Sequence, residues 1–107
     1  MQALLAWLMM LVAAAFEVGG DAVIRRGLTG GGLPLVGAGF LLLGTYGVVV
    51  NLIGLDFSRL LGAYVGWFAL VSVAIGRLLF GDRVTPGMWF GLALILSGSL
   101  VMQLARG

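Results

Sequence analysis

Two carboxylates stand inside the first long apolar stretch of the chain, Glu17 and Asp21 in Ala15-Phe16-Glu17-Val18-Gly19-Gly20-Asp21. Four residues apart, they share one face of a helix. An acid at membrane depth costs a few kcal/mol to insert, so it normally faces a protein interior or a wet cavity, where it can hold a proton or a cation. About fourteen apolar residues precede Glu17, roughly 21 Å of helix at 1.5 Å per residue, so its short side chain cannot reach water at that end. Asp21 lies one turn from both Glu17 and Arg25. Asp ahead of Arg at this spacing is a favourable helical pair, so Asp21 is expected to pair with Arg25; a second role as a proton- or cation-binding acid stays open.

The elements that must position these acids follow from composition. Of 107 residues, 62% are hydrophobic and 9% charged, with nineteen glycines. A soluble domain of this size would need more charge to cover its surface. Four spans of about twenty residues use nearly the whole length, so a single transmembrane domain over 1–107 is expected, with no soluble appendage. The net charge of +2 rests on six arginines without a lysine, which suits loop anchoring in an integral, multi-pass protein of the cytoplasmic membrane. No basic patch is interleaved with aromatics, so no nucleic-acid partner is expected. Cysteine and histidine are both absent. That excludes thiol chemistry, disulfides and the usual zinc sites, and no nucleophile–base pair is visible, so neither a metal, a cofactor nor an enzyme activity is expected. No positive residue precedes the first apolar run and Glu17 interrupts it, so no cleaved signal peptide is expected.

The expected spans are about 3–24, 34–53, 60–80 and 87–105. The first ends in Arg25-Arg26-Gly27-Leu28-Thr29-Gly30-Gly31-Gly32, whose glycines cannot sustain a helix. No Lys-Ser/Thr pair follows, so the stretch is a connector and not a phosphate loop. Pro34 suits the first turn of the second helix. Thr45, Tyr46 and Asn51 are that helix's polar groups, and Thr45 is a candidate lining residue, although a threonine also bonds its own backbone. Asp56 or Ser58 can cap the third helix. There Gly62 and Gly66 form a GxxxG pair, while Tyr64 and Trp67 share a face, Trp67 roughly 10 Å from the helix start and too deep for a belt residue. Arg77 is expected at the membrane surface or paired with Asp82. In the fourth helix Gly91 and Gly98, seven apart on one face, suit a helix–helix contact. Trp7 and Trp89 read as belt residues. Loops one and three hold more arginine than the opposite side, which favours these loops in the cytoplasm and both termini outside, by a bias of one or two charges that permits insertion in both orientations.

These residues in this order resemble the small multidrug resistance transporters of the drug/metabolite transporter superfamily. Glu17-Val18-Gly19-Gly20 with Arg25 is similar to that family's first-helix signature and its essential glutamate. Ala63-Tyr64-Val65-Gly66-Trp67 resembles the third-helix segment that lines the binding chamber, Phe80-Gly81-Asp82-Arg83 the following loop, and Gly91 with Gly98 the fourth-helix dimerisation motif. The resemblance covers all four spans. Three features depart from it: Asp21 is an extra acid, Phe68-Ala69-Leu70 replaces the glycines of a helix kink, and Leu42 stands where a tyrosine is expected. These, with Arg77, Thr85, Trp89 and Gly91, also resemble the YnfA-like branch; guanidinium exporters fit less well, because Gly20 takes the place of a tryptophan.

The resemblance implies an all-α, four-helix integral membrane bundle acting as an antiparallel dimer, a homodimer or a heterodimer with a paralogue. A dimer brings two copies of Glu17 into one apolar chamber, where their charges repel. Such a pair holds either protons or one small organic or hydrophobic cation. At a site open to one side at a time, that exclusion is proton-coupled efflux. Tyr64 would bond Glu17, and Trp67 would offer a ring face to the cation. Two other readings are a lipid-carrier flippase subunit, which needs basic residues at the headgroup phosphate such as Arg25, Arg26 or Arg77, and a small accessory protein, which would tolerate loss of Glu17.

Overall fold

The computed structural model describes residues 2–105, with side chains from Leu4 onward. Four helices carry them: α1 Gln2–Arg26, α2 Leu33–Asn51, α3 Phe57–Leu79 and α4 Pro86–Leu104, and no strand occurs among the described residues. Each is long and apolar enough to cross a membrane. At 1.5 Å per residue the shortest, of 19 residues, spans about 28 Å, close to the thickness of the hydrocarbon core. The expected all-α, four-span architecture is the one observed. The backbone satisfies its polar groups within each helix, as lipid requires.

The ends differ from expectation in instructive ways. α1 runs past Ile24 to Arg26, and one wide turn, Gly27–Gly31, follows before the chain reverses. The Gly32 N–H donates to the Gly27 carbonyl at 3.0 Å. Gly30 and Gly32, at φ 123° and 95°, take the backbone region that a Cβ disfavours. The Thr29 hydroxyl closes back on the Arg25 carbonyl at 2.8 Å. At the far end of α2, helical bonding tightens as the Leu52 and Ile53 N–H groups reach the Val49 and Val50 carbonyls at 3.2 and 3.3 Å.

Capping also falls elsewhere. Asp56 holds the N-cap position of α3, but neither it nor Ser58 caps through its side chain. The side-chain cap belongs to α4, where Thr85 Oγ1 accepts the Met88 N–H at 3.3 Å and Pro86 fills the first turn. α3 ends as the Phe80 and Asp82 N–H groups both donate to the Gly76 carbonyl. That folds the Asp82 side chain over Gly76, where a Cβ would collide with it, and leaves no Arg77–Asp82 ion pair; Arg77 is exposed.

The chain forms two compact units, a first hairpin of α1 and α2 up to Ile53 and a second of α3 and α4 from Gly54.

Candidate functional site

Glycine sets the register of the first hairpin. A Cβ on Gly20 would lie 3.0 Å from both the Gly39 carbonyl oxygen and Leu43 Cγ, and one on Gly39 would collide with Ile24. One on Gly27 would meet Val36 at 2.8 Å. These contacts define an antiparallel pairing in which Gly27, Ile24 and Gly20 face Val36, Gly39 and Leu43 in turn. Glu17 comes next on the same stripe of α1, and Tyr46 next on that of α2. Beyond them Met10 and Ala13 are fully buried and Val50 nearly so. Glu17 is half-buried, and Tyr46 lies within electrostatic reach of its carboxylate. The small residues let the helices touch where no hydrophobic force drives them together. A carboxylate is thereby held on the inner face of the hairpin with a phenol opposite.

The neighbouring candidates are placed differently. Thr45 is exposed and its hydroxyl donates to the Leu41 carbonyl at 2.8 Å, so the residue of α2 that faces Glu17 is Tyr46. Asp21 is exposed and forms no hydrogen bond or ion pair with any of the described residues, so the expected Asp21–Arg25 pair is not observed. An exposed pair of this kind gains only about 0–1 kcal/mol, which the entropy of holding two side chains together readily cancels. The sequence alone does not single out Tyr46, because α2 also carries Gly37, Gly44 and Gly47 and only the contacts at Gly20, Gly27 and Gly39 fix the face that meets α1.

The second hairpin carries the aromatic candidates. Its inner stripe on α3 is Gly62 and Gly66, covered by Met102 and Ser99 of α4. A Cβ on Gly66 would stand 2.7 Å from Ser99 Oγ. At the open end of the hairpin the Arg59 guanidinium donates to the Ala105 carbonyl. Tyr64, two residues from each glycine, leaves α3 on the opposite side. It is only 4% exposed, and its ring lies beside Phe68 with centroids 6.4 Å apart. Trp67 is half-buried. Gly91 and Gly98 sit off the stripe of α4 that meets α3, and a Cβ on either would meet nothing within 4 Å. Trp7 and Trp89 are both exposed.

No family model matches the chain, and no solved structure matches it. Several curated proteins do. A UPF0060 membrane protein of Streptomyces avermitilis is 36% identical over 102 residues, 91% of this chain and 89% of that one. One of Mycobacterium marinum is 35% identical over 100 residues, covering 92% and 91%. The spermidine export protein MdtI of Shigella flexneri is 35% identical over 52 residues, about half of each chain (49% and 48%). Aligned along nearly its whole length with the first two, and similar to the third over half of it, this chain belongs to the UPF0060 membrane proteins.

Proposed function

We propose that the protein exports small organic cations or hydrophobic compounds in exchange for protons, with Glu17 as the group that holds either. The observation that carries this reading is the half-buried Glu17 carboxylate, set in mid-span on the inner stripe of α1 with Tyr46 opposite. Four apolar spans and kinship with a spermidine exporter over half the chain support the same chemistry. Asp21, exposed and unpaired, stands one turn further on. That is about 6 Å along the axis at 1.5 Å per residue, a separation that suits a polyamine carrying ammonium groups several bonds apart. On the second hairpin, Tyr64 offers a phenolic donor and Trp67 a ring face suited to a cation.

Both hairpins act as one transmembrane domain, and two chains act together, antiparallel, as a homodimer or with a paralogue. A dimer supplies two Glu17 carboxylates, and their mutual repulsion makes occupancy by protons or by a cation exclusive. The open glycine face of α4, Gly91 and Gly98, is the surface on which a second copy would pack.

Proton release tests the site. Adding spermidine or tetraphenylphosphonium to purified, detergent-solubilised protein in weak buffer should release protons, and Glu17→Gln should abolish the release while the protein stays folded. Coupled uphill efflux that persists in Glu17→Gln vesicles would overturn the antiport reading.

A further inference from the structure

Ser99 makes an unusual pair of bonds across the second hairpin. Its hydroxyl accepts the Gly66 N–H at 3.1 Å and donates to the Ala63 carbonyl at 2.5 Å. Both partners are backbone groups of α3, and Ser99 is 8% exposed. The hydroxyls of Thr45, Ser72 and Ser97 behave differently and turn back onto their own helix. Gly66 makes the approach possible, since a Cβ there would lie 2.9 Å from Ser99 Cβ.

The two anchored backbone groups bracket Tyr64, and Trp67 follows directly. The glycine contacts on this stripe, Met102 against Gly62 and Leu96 near Gly66, are apolar and non-directional, and the Arg59 bond to the Ala105 carbonyl lies at the open end of the hairpin, away from Tyr64 and Trp67. An apolar seam lets one helix turn or slide on another at little cost, whereas a hydroxyl bonded to two backbone groups defines one rotation and one register. Any rotation of α3 about its axis carries the long Tyr64 and Trp67 side chains through a wider arc than the backbone, because their rings lie further from that axis.

We propose that Ser99 is a positioning residue for the substrate-binding aromatics: by clasping Ala63 and Gly66 from α4 it holds the turn of α3 that presents Tyr64 and Trp67. This rests on the export reading above for the role of those two side chains. Ser99 touches no substrate itself. Its loss acts through the orientation of its neighbours.

The test uses full-length protein in which Trp67 is the sole tryptophan, after Trp7→Phe and Trp89→Phe. Ser99→Ala should shift the ligand-free Trp67 emission maximum and speed amide exchange at Gly66. It should also weaken tetraphenylphosphonium binding by about three- to fifteen-fold, the span covered by interhelical hydrogen bonds in membranes. Ser97→Ala, which removes only a bond within α4, should change none of the three. Ser99→Cys, near in size and weaker in hydrogen bonding, should fall between wild type and Ser99→Ala, and it is the variant to read if Ser99→Ala does not fold. Unchanged Trp67 emission and affinity in the Ser99 variant would overturn the proposal, as would equal effects from Ser97→Ala. Should the wild type bind no tetraphenylphosphonium, the export reading loses that cation, and Trp67 emission still decides the role of Ser99.

Discussion

Glu17 and Asp21 are the same chemistry one turn apart, yet their surroundings separate them. Glu17 lies on the stripe that α2 covers, with Tyr46 opposite, whereas Asp21 is exposed and unpaired. Sequence spacing alone favoured an Asp21–Arg25 pair, because i,i+4 geometry permits one. Permission is not occupancy where the gain is small and both groups are exposed. Asp21→Asn should therefore stay within about 0.5 kcal/mol of wild type in thermal stability, as expected for a surface change, and its effect should add to that of Arg25→Gln. A coupling energy well above that would restore the ion pair. In transport, Asp21→Asn should lower affinity for spermidine more than for the monovalent tetraphenylphosphonium. Equal losses for both would remove Asp21 from the site.

At the scale of helices, the glycines divide into those that touch and those that do not. Gly20, Gly27 and Gly39 are in contact with the opposing helix or loop, while a Cβ on Gly37 or Gly44 would meet open space. Counting glycines cannot make this distinction, since it depends on which face of α2 turns toward α1. Gly39→Leu should force the hairpin apart at the Gly20 carbonyl, costing at least the roughly 1–3 kcal/mol of an overpacked core, and should displace Tyr46 from Glu17. Gly44→Leu should cost little. Thermal unfolding in a fixed detergent compares the two, and equal destabilisation would contradict the register. Helix ends tell a similar story. Thr85 rather than Asp56 supplies the side-chain cap, and Asp82 lies over Gly76 rather than reaching Arg77.

For the whole molecule, α4 presents two faces with different uses. Met102 and Ser99 meet α3, whereas a Cβ on Gly91 or Gly98 would meet no described residue within 4 Å. Gly98→Leu should therefore leave the second hairpin intact and weaken the proposed dimer, shifting single-molecule photobleaching in lipid from two steps toward one. An undiminished dimer would move the interface elsewhere. Four spans, their approximate limits and an acid stranded in mid-helix were legible in the sequence, because hydropathy, helix length and the cost of a buried charge are local or one-dimensional quantities. The partner of Glu17 on α2, the empty place beside Asp21 and the clasp of Ser99 on Ala63 and Gly66 were not. Each depends on the rotation and register of one helix against another. That choice is made by which glycines allow backbones to touch, and only the tertiary structure decides it.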